Sequence, residues 1–269
     1  MAEARSMTLS KNNTGIRQPM RLMSRLLGQD FVFNAFWKCP HELLERQFKR
    51  NISLNHLEVG VSNEFDFTKR LKANGRLNIA YLDPSADALK KARLATEHLK
   101  PRLFLGDLDD KWHFKHHKFD SVNLNFVLHG MEGDFEERVN ALCMNARRCL
   151  SEKGKVFGSA ILRDRIDTNA LSEFVLNRYN KNGVVNSEND SYRKLERMLS
   201  YYFAGVKIEM VGYIVLFEGR MKESRKRGKP EMEPYNARNN VVNLTSRKDK
   251  RRANARSSAG AKLRPQIAG

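Results

Sequence analysis

No apolar run in this sequence approaches the ~18 residues that a membrane-spanning helix requires. The polar N-terminus also lacks the apolar core of a secretory signal. Both absences predict a protein that works in the cytoplasm, or in the nucleus if its basic clusters direct import. Cysteine is scarce: Cys39, Cys143 and Cys149, with no C-x-x-C spacing. That argues against a disulfide framework or a zinc ribbon and for reduced thiols. The seven histidines form no H-x-x-x-H pair on a clear helix. His113, His116 and His117 gather beside Trp112 in what reads as a solvated loop, so no metal site is expected. Acids are in deficit as well. There are 31 Asp and Glu against 49 Lys and Arg, a formal net charge of +18. Such a balance attracts polyanions but says nothing about a reaction.

What is present is core material. At 41% hydrophobic, the chain can build one α/β domain of roughly 200 residues plus tails. Residues 1–18 are polar and turn-rich and are expected to be disordered. Met20 to Leu27 suits a short helix, and Phe31 to Trp37 is a dense aromatic cluster. Pro40 and a helix from His41 to Lys49 then complete an N-terminal helical cap. Apolar strands are predicted at 54–59, 77–82, 102–105, 119–126 and 155–162. Helices are predicted at 64–73, 84–98 and 134–150. Strands that alternate with helices call for a doubly wound, mostly parallel sheet. Helices at 168–177 and 191–203 and two closing strands, at 206–211 and 213–218, bring the sheet to seven strands. The domain therefore spans 19–220.

From Arg220 the composition shifts, with 15 Lys or Arg against 4 Asp or Glu, a difference of +11. Large apolar residues are sparse there. Residues 221–269 read as a disordered basic tail, a partner for nucleic acid or a nuclear-import signal.

The chemistry gathers where strands end. The first strand stops on Glu58, and Gly60 follows two residues on, where a missing side chain lets the backbone approach a ligand. The phosphate form of this turn needs G-x-G-x-x-G, but Ser62 and Glu64 occupy the later positions. Acids there repel a pyrophosphate and suit a cationic ligand. Asp83 ends the second strand, placed to accept from ribose hydroxyls. Ser85 can cap the next helix and so leave Asp83 available. Asp107 ends the third strand, suited to an adenine amino group with Leu108 packed on the ring; an Asx-turn explains it equally well. Asn125 ends the fourth strand and faces the same crevice. His129 is the best-placed base, although a packed helix-end histidine competes. Trp37 and Tyr179 are candidates for the wall of an acceptor pocket.

In chain order these motifs resemble the class I S-adenosylmethionine-dependent methyltransferase family. His56-Leu57-Glu58-Val59-Gly60 resembles its first motif, Tyr81-Leu82-Asp83 its second, and Leu105-Gly106-Asp107 its adenine-side motif. Residues Phe119 to His129 resemble the fourth-strand motif, and Cys149 to Gly158 the turn into the fifth strand. The likeness is strongest to a microbial small-protein branch with Phe36-Trp37-Lys38-Cys39-Pro40 and Tyr179 to Asn186 segments, and it covers about Phe31 to Arg220. It implies a Rossmann-like methyltransferase fold, S-adenosylmethionine as cofactor, and a small-molecule methyl acceptor; the basic tail suggests RNA, including a cap, as the acceptor instead. The first motif keeps one glycine where the family usually has two or three. The alternative reading is therefore a catalytically degenerate scaffold that binds nucleic acid through its tail.

Overall fold

The computed structural model describes residues 38–61, 67–73, 75–114, 117–162, 191–222 and 234–235. The chain divides into two compact units, Met1–Lys229 and Pro230–Gly269. Every element below lies in the first. The expected N-terminal disorder, the 20–27 and 168–177 helices, the aromatic cluster up to Trp37 and nearly all of the basic tail lie outside the described residues.

Seven strands form one sheet: β1 (Asn55–Val59), β2 (Asn78–Asp83), β3 (Arg102–Leu105), β4 (Phe119–Asn125), β5 (Leu150–Ile161), β6 (Phe203–Val211) and β7 (Ile214–Met221). Their spatial order is β3-β2-β1-β4-β5-β7-β6. The first five run parallel; β7 is antiparallel to β5, and β6 to β7. The central strands are buried almost end to end, as both-face coverage of a parallel sheet demands. β6, at the edge, stays half open. A two-residue Gly212-Tyr213 turn joins β6 to β7, and the positive φ of Gly212, 58°, gives the hairpin its tight reversal.

Four α-helices are described: α1 (His41–Asn51), α2 (Ala86–Ala95), α3 (Phe135–Cys149) and α4 (Tyr192–Tyr202). α1 lays Phe48 against Phe67, His56 and Phe157. α2 buries Ala88, Leu89 and Ala92 with Ile79 and Tyr81. Tyr202 of α4 donates to Asn140 Oδ1 of α3 at 2.8 Å, which ties those two helices together.

The predicted 64–73 helix is replaced, among the described residues, by a single 3₁₀ turn, Phe67–Arg70. Leu71 N donates to Thr68 O at 3.0 Å to close that turn, and the Thr68 hydroxyl meets Tyr81 Oη in the core. Two strands begin earlier than their apolar patterns suggest. β5 starts at Leu150, paired to Phe119 before a register shift. β6 starts at Phe203, paired to Met221.

The chain leaves β1 toward β2 and β3 on one side and reaches β4 and β5 on the other. The sheet order thus reverses between β1 and β4, and a crevice opens beyond their C-terminal ends.

Candidate active site

The turn after β1 is held by its neighbour strand. Gly60 N donates to Leu82 O at 2.8 Å, and Val61 N donates to Asp83 Oδ2 at 2.7 Å. Gly60 has φ +71°, and a Cβ there would stand 3.3 Å from Val127 Cγ2 and 4.0 Å from Leu108 Cδ1. Only glycine combines that backbone with that space. The same contacts bring the turns after β1, β3 and β4 together around Gly60.

Asp83 is 1% exposed. Ser85 caps α2 as expected, its Oγ accepting from Ala88 N. The expectation that this leaves Asp83 without a structural task is corrected. Oδ2 accepts from Val61 N and Oδ1 from Ser85 N, both at 2.7 Å. The carboxylate clamps the β1 turn to the start of α2.

Glu58 is buried within a polar ladder on the sheet. Its Oε1 accepts from Asn123 Nδ2 at 2.7 Å, and its Oε2 lies 3.0 Å from His56 Nε2. His56 Nδ1 meets Ser121 Oγ at 2.8 Å, and Ser121 Oγ accepts from Ser53 N. An ionised Glu58 sets one proton order. Ser121 donates to His56 Nδ1, and His56 Nε2–H donates to Glu58. Burial pushes the His56 imidazole down to about 3, so it stays neutral in this role. Glu58 therefore has its orientation set from within the sheet.

Asn125 closes β4. Its Oδ1 accepts from Ser159 Oγ at 3.0 Å, while its buried Nδ2 has no partner among the described residues. Phe126, next in line, holds φ +55°. That conformation is rare for a bulky side chain and collects at ligand sites.

His129 does not fit the role of general base. Its Nε2 accepts from Ile161 N at 2.9 Å, which occupies the lone pair that a base needs. The proton of the neutral ring then sits on buried Nδ1. Burial first, and the Arg138 charge second, push the group down to about 3. His129 is a neutral structural acceptor.

Asp107 is exposed beyond β3, and Leu108 is half-buried beside Gly60. Asp109, nearby, has its carboxyl raised by burial first, then by Asp107, Asp110 and Glu132. This rim is acidic and unsuited to a polyphosphate. Ser62, Glu64, Trp37 and Tyr179 lie outside the described residues.

Sequence reasoning missed His56, Asn123, Val127 and Ser159 as supports of this site. One signal was available: a buried strand that spells Ser121-Val122-Asn123-Leu124-Asn125 carries a polar residue at every second position. Such residues stay buried only with partners.

A family model described as a methyltransferase domain matches residues 57–158, from β1 into β5. Methyltransferase aurB of Calcarisporium arbuscula is 25% identical over 69% of this chain and 86% of its own length. The physcion biosynthesis cluster O-methyltransferase of Aspergillus chevalieri is 27% identical over 68% of this chain and 82% of its own. In fold, the chain is similar to an O-methyltransferase family protein from Burkholderia thailandensis. The TM-score is 0.52 at 16% identity, covering 69% of this chain and 56% of that one. The strand order, the glycine turn after β1 and the acid that closes β2 agree with these likenesses: residues 57–158 match a methyltransferase domain, and the chain has a Rossmann-like methyltransferase fold.

Proposed function

We propose that the crevice beyond β1, β2 and β4 binds S-adenosylmethionine and that the chain passes its methyl group to an oxygen of a small-molecule acceptor. The Gly60 turn carries this reading, because it leaves the backbone bare where a side chain would fill the space beside Val127 and Leu108. The residues present fit the cofactor. Asp83, at the end of β2, is the candidate acceptor for ribose hydroxyls. The unpartnered Nδ2 of Asn125 suits the cofactor carboxylate. Glu58, oriented by His56 and Asn123, favours its cationic groups. Leu108 provides an apolar surface for the adenine, and Asp107 an acceptor at its edge; Ser62 is the further candidate in the turn.

When bound, the cofactor supplies an electrophilic methyl group on a sulfonium. The protein's part is to orient the two reactants, which alone is worth several kcal/mol of barrier. With His129 committed to Ile161 N, it takes no proton from the acceptor. An acceptor already acidic enough to ionise, such as a phenol or enol, fits this site better than an aliphatic alcohol. The names of the relatives, O-methyltransferases among them, support oxygen as the receiving atom. Trp37 and Tyr179 remain the candidates for the acceptor wall.

The test is transfer of a labelled methyl group from S-adenosylmethionine to a panel of phenols, aliphatic alcohols, amines, proteins and RNA. Label on the phenols supports the reading. Label on RNA alone would move the acceptor to a nucleic acid. Label on nothing, with no cofactor binding, would favour the degenerate scaffold.

A further inference from the structure

We infer that the end of the sheet opposite the crevice is a docking surface for the phosphate backbone of single-stranded nucleic acid. Helices α1, α3 and α4 finish there, and β7 ends beside the start of β6 and the first half of β5. The register places Phe119 next to Leu150, Lys155 next to Arg220 and Phe203 next to Met221. Cations collect along this line: Arg50, Lys118, Arg147, Lys155, Arg220 and Lys222. Most of them bond to neutral carbonyl oxygens. Lys118 donates to Arg148 O, Lys155 to Arg50 O, Arg147 to Tyr202 O and Lys222 to Ser200 O.

Completing helix C-termini explains part of this arrangement, since each terminus carries about half a negative charge. It does not explain the surplus. Arg220 is exposed beside Lys155 and makes no hydrogen bond or ion pair among the described residues. Of the carboxylates at this end, Glu218 pairs with Arg50 and Lys207, Asp120 accepts from Ser151 and Asn55, and Glu152 is exposed near the start of β5. Burial, then the Arg220 charge, hold Lys155 below the usual lysine range. Burial, then Arg147, do the same to Lys222. Like charges held this close repel one another, and a bound polyanion relieves that repulsion.

Nucleic acid fits better than a lipid surface because an aromatic sits among the cations. The Tyr201 ring is half-buried, with Lys222 Nζ 6.0 Å from its centroid. An aromatic beside a basic track is how single strands are held, base on ring and phosphate on cation. The crevice end has the opposite sign, with Asp107, Asp109, Asp110 and Glu132 together. A polyanion is thus repelled from the crevice and attracted to the far end. The chain leaves the described sheet at Lys222, and residues 223–269 carry 13 Lys or Arg against 4 Asp or Glu.

The experiment is fluorescence anisotropy of the full chain with a labelled, unstructured RNA of about 20 nucleotides, titrated from about 50 to about 200 mM salt. A DNA of equal length separates ribose from deoxyribose, and phosphatidylserine vesicles test a membrane. In the Lys118→Gln, Lys155→Gln, Arg220→Gln triple variant, three lost phosphate contacts lower the salt slope by about 2, and affinity drops at least tenfold. The single Arg220→Gln variant removes an exposed side chain with no bond to break, so it keeps the fold. Its expected slope change is about 0.7. Unchanged affinity and slope in both variants, or tighter binding to vesicles than to either nucleic acid, overturns the inference.

Discussion

Asp83 carries two tasks on one carboxylate. It ties Val61 N and Ser85 N at 2.7 Å each, and in the proposed function it is also the ribose ligand. Asp83→Asn would turn an amide N–H toward one of those two backbone donors. The lost bond and the donor–donor clash should cost about 1–3 kcal/mol of stability, seen as a lower urea midpoint. Gly60→Ala is the sharper probe of the crevice. A left-handed φ costs an alanine about 1–2 kcal/mol, and the new methyl meets Val127. Calorimetry should then find cofactor affinity reduced at least tenfold. His56 and His129 make the third probe. Burial holds both near about 3, against about 6.5 for an unfolded histidine. Between those values the unfolded chain binds more protons than the folded one. The stability they confer is complete above pH 6.5 and drains as pH falls, by about 1.4 kcal/mol per pH unit for each. Urea midpoints measured from pH 7.5 to 5 should show this slope, and His129→Gln should flatten it.

At the scale of elements, the strands were legible because their apolar runs are bounded by acids, glycines and turns. The acid that closes β2 and the Gly60 turn were readable for the same reason. What stayed hidden were the cross-strand partners, because pairing depends on spatial neighbours far apart in sequence. Glu58 lies next to Asn123, 65 residues away. His129 looked like a base because its position in the chain was right, but its Nε2 faces Ile161 N across 32 residues. Thr68 was equally opaque, since nothing local tells that its hydroxyl meets Tyr81. One element-level test is Gly158→Ala in β5. A Cβ there would stand 2.7 Å from Leu124 O and from the Phe217 ring. Overpacking of this kind costs about 1–3 kcal/mol, and a fall in Tm of several degrees is the expected readout.

At the scale of the whole molecule, charge and chemistry are separated among the described residues. Acids gather at the mouth of the crevice, while cations line the opposite sheet end and the sequence beyond it. Net charge alone pointed to a polyanion and left its place on the fold open. The sheet register supplies that place by bringing Lys155 beside Arg220. The fold was readable from motif order; the acceptor was not. All of this stands on a cofactor seated beyond β1 and β2. Isothermal titration of the full chain with S-adenosylmethionine, beside Asp83→Asn checked for a native thermal transition, tests it most directly. One-to-one binding to the natural chain, weakened at least tenfold in the folded variant, is the predicted result. No heat with the natural chain, or equal affinity in both, would contradict it.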